Sequence, residues 1–354
     1  MADMNTVVVT DKLEEALGKV MATFPDDKLF LVVDQNSDHF CVPLIQEVPG
    51  FKKFKKVVIP SGEETKLLSS VEKIWLFLSQ NGADRKSLVV NLGGGMVTDL
   101  GSFAASTFKR GLEFVNIPTT LLSQVDASVG GKTGFNFNGL KNEIGVINQP
   151  LQVIIDTRFL KTMDHDNIIS GYAEMIKHGL IYSGEHLAEL KQYDLIHRDY
   201  HLLEGMIERS VQIKEYFVER DTNEKNIRKA LNFGHTVGHA FESISLKKSN
   251  PLLHGHAVAF GMIAELYLSC IKCGFPVTDM KTLSTWLLNV YGHFHITAED
   301  YESLFELMGH DKKNEGKRIN FTLIASVGKF EINQNCSKQE IFEALDFFRE
   351  LNNA

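Results

Sequence analysis

The stretch Ser87-Leu-Val-Val-Asn-Leu-Gly-Gly-Gly-Met-Val-Thr-Asp99 joins an apolar run to a glycine-rich turn. The apolar run predicts a buried strand over residues 87–91, and a helix is predicted to begin near Val97. Glycines at 93–95 let a ligand phosphate approach the backbone, and a helix N-terminus offers free N–H groups. The spacing is not that of the Gly-x-Gly-x-x-Gly fingerprint, so these residues alone fit either a phosphate site or a tight turn.

The surrounding sequence predicts an alternation of strands and helices. Strands are expected at residues 6–10, 29–34, 57–59, 113–117 and 153–156, and a helix at about 67–80. Apolar strands between helices indicate a parallel sheet covered on both faces, which binds ligands beyond the carboxyl ends of its strands. The polar and glycine-rich residues cluster at those ends, which indicates a nucleotide site: Asp34, Asn36, residues 63–66 and 93–99, Thr119 and Thr120.

The second half of the chain has a different pattern. From about residue 164 it is mainly helical, with long amphipathic runs at 200–219 and 257–273, a strand pair near 318–325 and 329–332, and a final helix at about 338–351. We therefore predict an α/β, Rossmann-like N-terminal domain over residues 1–160. A mainly α-helical C-terminal domain is predicted over residues 161–354.

Composition is that of a soluble globular protein and argues against several partners. Of 354 residues, 44% are hydrophobic and 23% charged, and the net charge of -8 argues against nucleic-acid binding. No secretory signal is visible at the N-terminus, and no apolar stretch approaches a membrane span. The four cysteines include Cys270-x-x-Cys273 without a second pair, so we expect reduced thiols in a cytoplasmic protein.

A second glycine-rich segment, residues 126–134, resembles a phosphate loop only superficially. It lacks the four residues that a P-loop places between its first glycine and Gly-Lys-Thr, so an NTPase is not expected. Its glycines still suggest that Lys132 approaches an anion. Arg110, Lys141 and Asn142 are expected in neighbouring loops, where they would add to a pocket for phosphate or carboxylate.

In the helical half the decisive stretch is Arg228-Lys-Ala-Leu-Asn-Phe-Gly-His-Thr-Val-Gly-His-Ala-Phe-Glu242. Read as one helix, it puts Arg228, Asn232, His235 and His239 on one stripe. The two imidazoles could bind one metal together, or one could bind metal while the other handles protons. They could also be two polar histidines that pack against a neighbouring domain.

Other residues of this half complete a possible ligand set. Glu174 and Lys177 lie one turn apart in an apolar segment, where a plain helix ion pair is the alternative. His254 opens an apolar helix after Pro251-Leu-Leu. Glu174, His235 and His254 would supply a carboxylate and two imidazoles, the ligands of a catalytic Zn²⁺ with open positions. No spacing ties the three together, so residue type alone groups them.

The ordered motifs together resemble the 3-dehydroquinate synthase family, the second enzyme of the shikimate pathway, over essentially the whole chain. The motifs are Pro60-Ser-Gly-Glu63-x-x-Lys66, Gly93-Gly-Gly-x-x-x-Asp99, Pro118-Thr-Thr120-Leu-Leu, Asp126-x-Ser-Val-Gly-Gly-Lys132-Thr, Lys141-Asn142-x-Ile-Gly, Gly171-x-Ala-Glu174-x-x-Lys177, Leu231-Asn-Phe-Gly-His235-Thr-x-Gly-His239-Ala, His254-Gly-x-Ala-Val-Ala and Asp311-Lys-Lys313.

The resemblance implies NAD bound between the two domains, one divalent metal, usually Zn²⁺ with Co²⁺ as the alternative, and a homodimer in which Arg110 is contributed across the interface. The implied metal ligands are Glu174, His235 and His254. The implied NAD-site residues are Asp34, Asn36, Glu63, Lys66, Gly94, Gly95, Asp99, Thr119, Thr120, Asp126, Lys141, Phe159 and Thr162. The implied substrate-site residues are Arg110, Lys132, Asn142, Lys177, Lys214, Glu224, Arg228, Asn232, His239 and one of Lys312 or Lys313, of which Lys132, Asn142, Lys177 and His239 are the implied catalytic residues.

The implied reaction converts 3-deoxy-D-arabino-heptulosonate 7-phosphate to 3-dehydroquinate and phosphate. Transient oxidation at C5 by NAD⁺, phosphate elimination, re-reduction, ring opening and an aldol closure leave no net redox change. Other sugar-phosphate cyclases, a metal-dependent polyol dehydrogenase and a non-catalytic NAD-binding sensor are the alternatives. One departure from the family is His256, where Glu is frequent; it could be an alternative metal ligand, or have a supporting or surface role.

Overall fold

A computed structural model describes residues 7–246, 251–309 and 319–353 of the chain. Within these residues, six parallel strands form one sheet in the order β1-β8-β5-β4-β2-β3, and two antiparallel pairs, β6-β7 and β9-β10, lie outside it. The strands are β1 (Val7–Val9), β2 (Leu29–Asp34), β3 (Lys55–Ile59), β4 (Leu88–Gly93), β5 (Glu113–Pro118), β6 (Lys132–Phe137), β7 (Leu140–Ile147), β8 (Gln152–Ile155), β9 (Asn320–Ser326) and β10 (Lys329–Asn335).

Helices account for most of the remaining chain. They are α1 (Leu13–Met21), α2 (Gln35–Phe40), α3 (Leu68–Gln80), α4 (Gly95–Thr107), α5 (His165–Tyr182), α6 (Gly184–Gln192), α7 (Tyr200–Arg220), α8 (His235–Ser245), α9 (His254–Cys273), α10 (Val277–Tyr291), α11 (Tyr301–Gly309) and α12 (Lys338–Asn353). The predicted fold class, an α/β N-terminal part and a mainly helical C-terminal part, is confirmed. The described residues separate into two compact units. The first contains the residues up to 164 together with residues 200–211, and the second contains residues 165–199 and the residues from 212 onward.

The parallel sheet is buried on both faces because successive side chains of a strand point to opposite sides. Leu31 and Val33 of β2 pack in one apolar cluster with Leu17 of α1. Phe30 and Val32 pack in the other cluster, which also contains residues of α3 and α4. Each such side chain contributes about 1.5–3 kcal/mol by leaving water, so the two layers hold the strand ends in fixed positions.

The strand order creates a crevice between β2 and β4. The chain leaves β2 toward β3 on one side, whereas it leaves β4 toward β5 on the other side. Loops that diverge in this way open a space beyond the carboxyl ends of the strands, which is where doubly wound sheets bind ligands. Asp34 ends β2 and Gly93 ends β4, so the predicted polar cluster begins at this crevice.

Helix α9 forms the core of the helical unit. It packs against α5, α8, α10, α12 and β9. Within the described part of the chain it is the one helix long and apolar enough to cross a membrane, so the expectation that no stretch approaches that limit is wrong. In α9, 67% of the most apolar window is buried inside the protein. This burial is typical of a core helix, because other helices surround α9 on several sides.

Two predicted elements differ from the structure. The stretch from Arg228 to Glu242 is not one helix: a 3₁₀ helix, Ile227–Asn232, ends before Gly234, and α8 begins at His235. Gly234 has a left-handed backbone (φ 80°), which interrupts the helix and turns its direction. The predicted loops around Lys141 are also wrong, because residues 132–147 form the antiparallel hairpin β6-β7.

Candidate functional site

Three helices of the helical unit bring a carboxylate and two imidazoles together. Glu174 lies in the middle of α5 and is fully buried, His235 is the first residue of α8, and His254 is the first residue of α9. Oε1 of Glu174 lies 3.4 Å from Nε2 of His235 and 3.5 Å from Nε2 of His254. The structure therefore groups the three residues that residue type alone had associated.

These distances fit a divalent cation. Ligand atoms about 2.1 Å from a tetrahedral Zn²⁺ are separated from each other by about 3.4 Å. Among the residues that the structure describes, none hydrogen-bonds Oε1 of Glu174, although this oxygen is buried. A buried carboxylate oxygen without a hydrogen bond is costly in a protein unless another group compensates its charge. The residues present thus fit a metal ion at this point.

The outer ring nitrogens are oriented in the way that metal-binding histidines require. Nδ1 of His235 lies 3.2 Å from the carbonyl oxygen of Phe233. Nδ1 of His254 lies 3.5 Å from Oε2 of Glu242. An oxygen beside Nδ1 keeps the proton there and leaves Nε2 as the ligand atom. Both imidazoles therefore present Nε2 to Glu174.

The charged groups of the cluster shift one another's pKa values. Burial by itself raises the pKa of Glu174, but the Lys177 ammonium and the His235 imidazole outweigh burial and hold that pKa well below its usual range. Lys177 donates to Oε2 of Glu174 and is itself buried. Burial by itself lowers the pKa of His254, whereas its carboxylate neighbours Glu174 and Glu242 raise that pKa to about 10.

Glycines let the three helices approach closely enough to form the cluster. A Cβ on Gly255 of α9 would lie 1.7 Å from the carbonyl oxygen of Ser170 on α5. A Cβ on Gly261 of α9 would lie 2.0 Å from the carbonyl oxygen of Gly234, directly before α8. Backbone atoms cannot move aside as side-chain ends can, so these positions fix how close α9 lies to α5 and α8.

His239 lies next to the three residues. Its ring centroid is 5.3 Å from that of His235 and 5.8 Å from that of His254. Ligand atoms of these three histidines all lie within 4.8 Å of one another, so a three-imidazole metal site is a geometric alternative. The side chain of His239 is partly exposed. The structure thus keeps open both sequence interpretations, a second imidazole ligand and a proton carrier.

Polar residues of the same unit surround the 3₁₀ helix before α8. Asp221 accepts hydrogen bonds from the backbone N–H groups of Lys225, Asn226 and Arg228, and thereby shapes the preceding loop. Asn232 donates to Oε1 of Glu224 at 2.8 Å. The Arg228 guanidinium is buried and donates to the carbonyl of residue 222. Lys214 of α7 is also buried. Lys312 and Lys313 lie outside the described residues.

In the α/β unit, the glycine-rich turn opens helix α4 directly beyond β4. Gly94 is the residue before the helix, and a Cβ there would lie 3.1 Å from the Thr120 side chain. A Cβ on Gly95 would lie 3.1 Å from the Ala127 side chain. The two glycines therefore let the start of α4 pack closely against residues 120 and 127, and the helix N-terminus there offers N–H groups that suit an anion.

The other predicted nucleotide residues have diverse surroundings. Asp34 caps α2, because Oδ1 accepts from both N and Oγ of Ser37. The turn-forming role considered from sequence is thus real, and Asp34 as a whole is partly exposed. Phe159 is packed in the core, so only its backbone can face a ligand. The remaining residues lie near strand ends: Asn36 is exposed on α2, Thr119 is buried after β5, Thr162 ends a 3₁₀ helix, and Asp126 lies in a π-helical turn.

Lys66 connects three elements of the α/β unit. Its Nζ donates to Oδ2 of Asp99 on α4 at 2.7 Å and to Oδ1 of Asn142 on β7 at 2.5 Å. Asn136 of β6 donates to Oε1 of Glu63 and accepts from the backbone N–H of Asn142. Asn142 has a left-handed backbone (φ 51°), which that hydrogen bond helps to hold. Four predicted site residues, Glu63, Lys66, Asp99 and Asn142, therefore form one network.

The predicted cations of the α/β unit are more exposed than this network. Lys132 begins β6 and Lys141 follows the hairpin turn, both with exposed side chains. Arg110 is exposed and has a left-handed backbone (φ 69°) after α4. His256, the departure from the family pattern, is partly buried and packs edge-on against Tyr291.

Sequence reasoning missed several residues that support these groups. Glu242 lies at the end of the quoted stretch, seven residues after His235, so helical spacing could have placed it near the cluster. Asn136 carries no comparable signal, because its contact with Asn142 requires the unforeseen hairpin. The carbonyl of Phe233 also depends on the unforeseen break before α8.

Comparison with known proteins gives matches over most of the chain. A family model described as 3-dehydroquinate synthase N-terminal matches residues 56–170, and one described as 3-dehydroquinate synthase C-terminal matches residues 171–314. The 3-dehydroquinate synthase of Parabacteroides distasonis is 51% identical over 344 residues, which cover 97% of this chain and 98% of that protein.

Two similar solved structures share the fold. One is 2-deoxy-scyllo-inosose synthase complexed with carbaglucose-6-phosphate, NAD⁺ and Co²⁺, with 24% identity, a TM-score of 0.83 and coverage of 97% of this chain and 96% of that chain. The other is 2-epi-5-epi-valiolone synthase from Streptomyces hygroscopicus subsp. jinggangensis with NAD⁺ and Zn²⁺ bound, with 22% identity, a TM-score of 0.84 and coverage of 99% and 98%.

The parallel sheet with its glycine-rich helix start, followed by helices that hold a carboxylate and two imidazoles, has the fold of the sugar-phosphate cyclases. Within this class, both family models and the relative that is 51% identical indicate one particular family. The chain belongs to the 3-dehydroquinate synthase family and is an enzyme of that type.

Proposed function

We propose that the chain converts 3-deoxy-D-arabino-heptulosonate 7-phosphate to 3-dehydroquinate and phosphate, with NAD and one divalent cation, Zn²⁺ or Co²⁺. The observation that carries this proposal is the cluster of Glu174, His235 and His254 in a chain of this family. When bound, NAD supplies a reversible hydride acceptor for C5 of the substrate, and the cation supplies a Lewis acid for the C5 oxygen. The reaction belongs to the shikimate pathway of aromatic amino acid biosynthesis.

Glu174, His235 and His254 would hold the cation. Their Nε2 and Oε1 atoms already face one another, and Glu242 and the Phe233 carbonyl keep the rings in that orientation. Lys177 neutralises the second oxygen of Glu174 and reduces the energetic cost of the buried carboxylate. In addition, we propose that the Lys177 ammonium binds the substrate, where it would orient an oxygen beside the cation.

The α/β unit would bind the nucleotide through its strand ends. The N-terminus of α4 at Gly94 and Gly95 suits the pyrophosphate, because helix N–H groups and the helix dipole favour an anion there. The carboxylate of Asp34, a partly exposed residue at the end of β2, suits ribose hydroxyls. The other residues proposed for this site are Asn36, Glu63, Lys66, Asp99, Thr119, Thr120, Asp126, Lys141, Phe159 and Thr162.

The substrate is an acid and a phosphate ester, so it needs several cations and hydrogen-bond donors. Arg228 and Asn232 are held in place by the loop at Asp221 and by Glu224, so they would bind it without large rearrangement. His239 would carry protons during the elimination, because imidazole titrates near neutral pH. The other proposed substrate residues are Arg110, Lys132, Asn142, Lys177, Lys214 and one of Lys312 or Lys313.

The remaining expectations are part of this proposal. The chain would act as a cytoplasmic homodimer, with Arg110 reaching the neighbouring copy. Its exposed position and left-handed backbone are compatible with that role. The net charge of -8 makes nucleic acid an unsuitable partner. We also keep the predicted boundary near residue 160 as the division between nucleotide and metal domains.

The test is phosphate release from 3-deoxy-D-arabino-heptulosonate 7-phosphate with NAD⁺ at catalytic concentration, before and after chelation. We expect metal-dependent release of phosphate without net accumulation of NADH, because the nucleotide is oxidised again in each turnover. Steady NADH accumulation on a polyol without phosphate release would contradict the proposal and would indicate a dehydrogenase.

A further inference from the structure

Glu265 of α9 is a fully buried carboxylate with both oxygens on the start of another helix. Oε2 accepts from the backbone N–H of Gly234 at 2.6 Å, and Oε1 accepts from that of Val237 at 3.1 Å. These two amides stand on either side of His235, the first residue of α8. One side chain of α9 therefore holds the backbone from which His235 extends.

The start of α8 depends on this contact because it has no cap of its own. The residue before the helix is Gly234, which has no side chain to accept from the first-turn N–H groups. Glu265 supplies the missing acceptor, and its negative charge is favourable at a helix N-terminus. One turn earlier on α9, Gly261 allows the Gly234 carbonyl to lie directly against the helix.

We propose that Glu265 is a positioning residue for the metal cluster, which it serves by tying α8 to α9. His235 is carried by α8 and His254 by α9, so a link between these helices sets the separation of the two imidazoles. The inference rests on the proposed role of His235 and His254 as metal ligands. Residues that orient ligands in this way affect metal affinity by about 10- to 100-fold.

Glu265→Gln is the most direct variant. It keeps the size of the side chain and one accepting oxygen, but it turns an amide N–H₂ toward a backbone N–H and removes the charge. We expect Zn²⁺ affinity, measured by competition with a chromophoric chelator, to fall about 10- to 100-fold. The absorption bands of bound Co²⁺ should shift as well, because they report the ligand geometry.

A matched control is Glu340→Gln. Glu340 also caps a helix start, since Oε2 accepts from the backbone N–H of Ser337 at 2.6 Å, but α12 carries none of the proposed ligands. Its second contact, from Lys272, lies at the end of α9 opposite to His254. We expect this variant to lower the melting temperature while Zn²⁺ affinity and the Co²⁺ spectrum stay unchanged. Equal losses of affinity in the two variants would overturn the inference, because they would show a general effect of stability.

Two further variants keep the result decisive. If Glu265→Gln does not fold, Glu265→Asp keeps the charge but shortens the side chain by one carbon, and a folded protein with weakened Zn²⁺ binding supports the inference. Unchanged Zn²⁺ affinity and Co²⁺ spectrum in folded Glu265 variants overturn it. His235→Asn then distinguishes two cases. If His235→Asn loses Zn²⁺ binding while the Glu265 variants keep it, only the proposed role of Glu265 fails. If His235→Asn also keeps Zn²⁺ binding, the proposed metal site fails as well.

Discussion

At the residue scale, the cluster joins one fully buried carboxylate to imidazoles that are more exposed. Glu174 is fully buried, and its Oε1 faces Nε2 of both His235 and His254. His239 is partly exposed and belongs to the same group of rings. A group that exchanges protons with substrate must be accessible, whereas metal ligands can be enclosed. His254, a proposed metal ligand, is partly exposed as well, so exposure alone does not separate the two roles. The proposed function gives proton transfer to His239, and this role is testable.

Replacing His239 by Asn should therefore reduce kcat far more than metal affinity. We expect kcat to fall by about 10²- to 10⁴-fold, the usual contribution of a general acid or base. Zn²⁺ affinity, measured in the same chelator competition, should change by less than about threefold, whereas His235→Asn should reduce it by about 100-fold or more. Equal losses of Zn²⁺ in both variants would identify the three histidines as the ligand set instead.

Lys66 offers a prediction in the α/β unit. Lys66→Met removes the ammonium that joins Asp99 to Asn142 and leaves a carboxylate without its cation. We expect the free energy of unfolding to fall by about 2–4 kcal/mol and NAD⁺ affinity to fall about tenfold, or about 1.4 kcal/mol. Urea unfolding and calorimetric titration measure the two effects. The control Lys55→Met loses one bond to the Asn81 carbonyl and should cost about 1 kcal/mol without affecting NAD⁺.

The same pair predicts a pH dependence. Burial by itself lowers the pKa of Lys66, but the carboxylates of Asp99 and Glu63 outweigh burial and raise it. A raised lysine pKa contributes stability that is complete below the unfolded value of about 10.4 and is lost as pH rises through the folded value. The stability difference between wild type and Lys66→Met should thus be constant from pH 7 to about 9 and shrink above pH about 10.4. A difference that stays constant as pH rises well above about 10.4 would refute this assignment.

The sequence allowed us to predict which residue types could carry chemistry, but not how these residues lie relative to one another. Glu174, His235 and His254 could be grouped because carboxylate and imidazole suit Zn²⁺. However, the two histidines lie 61 and 80 residues after Glu174 (235 − 174 and 254 − 174), and such long separations carry no geometric information. Glu265 was not foreseen. A lone acidic residue in an apolar helical run does not reveal which backbone amides its carboxylate meets.

At the element scale, α5, α8 and α9 act as a single rigid support for the cluster. Gly255 and Gly261 of α9 contact backbone atoms of α5 and of the residue before α8. Helices in such close backbone contact cannot move independently, so the starting points of the three side chains are fixed relative to one another. Under the proposed function, this preorganisation reduces the free-energy cost of ordering the three proposed ligands when a cation binds.

Gly261→Ala should disrupt this support. Its Cβ would lie 2.0 Å from the Gly234 carbonyl oxygen and 2.5 Å from the backbone nitrogen of Gly238, so α8 and α9 must separate. We expect a loss of about 3 kcal/mol in the free energy of unfolding and weaker Zn²⁺ binding. In the control Gly205→Ala on α7, the added Cβ meets no atom within 4 Å, so stability should stay equal or rise by up to about 1 kcal/mol. An unaffected Gly261→Ala would show that the helices can separate freely.

Elements were predictable where burial imposes a regular pattern. The strands β2, β4 and β5 are buried along nearly their full length and gave continuous apolar runs. The hairpin was missed because every residue of β7 is exposed and glycines at 134, 139 and 145 resemble a loop. The break at Gly234 was missed because the spacing of Arg228, Asn232, His235 and His239 also fits a continuous helix. Side-chain spacing does not reveal that one residue has a left-handed backbone conformation.

At the scale of the whole molecule, metal binding should be linked to stability. A ligand that binds the folded state alone adds about 2.7 kcal/mol at a free concentration of 100 times its Kd. We therefore expect Zn²⁺ to raise the melting temperature and a chelator to reverse that rise. Glu174→Gln should abolish the response to Zn²⁺ while it keeps the response to NAD⁺, because the nucleotide residues belong to the α/β unit. Loss of both responses would mean that the substitution unfolds the chain generally.

The most direct single measurement is anomalous diffraction at the zinc edge from crystals of the protein with Zn²⁺ and NAD⁺. We expect one strong peak within about 2.0–2.2 Å of Oε1 of Glu174 and of Nε2 of both His235 and His254, with His239 outside bonding distance. A peak that binds His239 in place of Glu174, or the absence of any peak at this cluster in an enzyme that still needs metal to release phosphate, would contradict the proposed site.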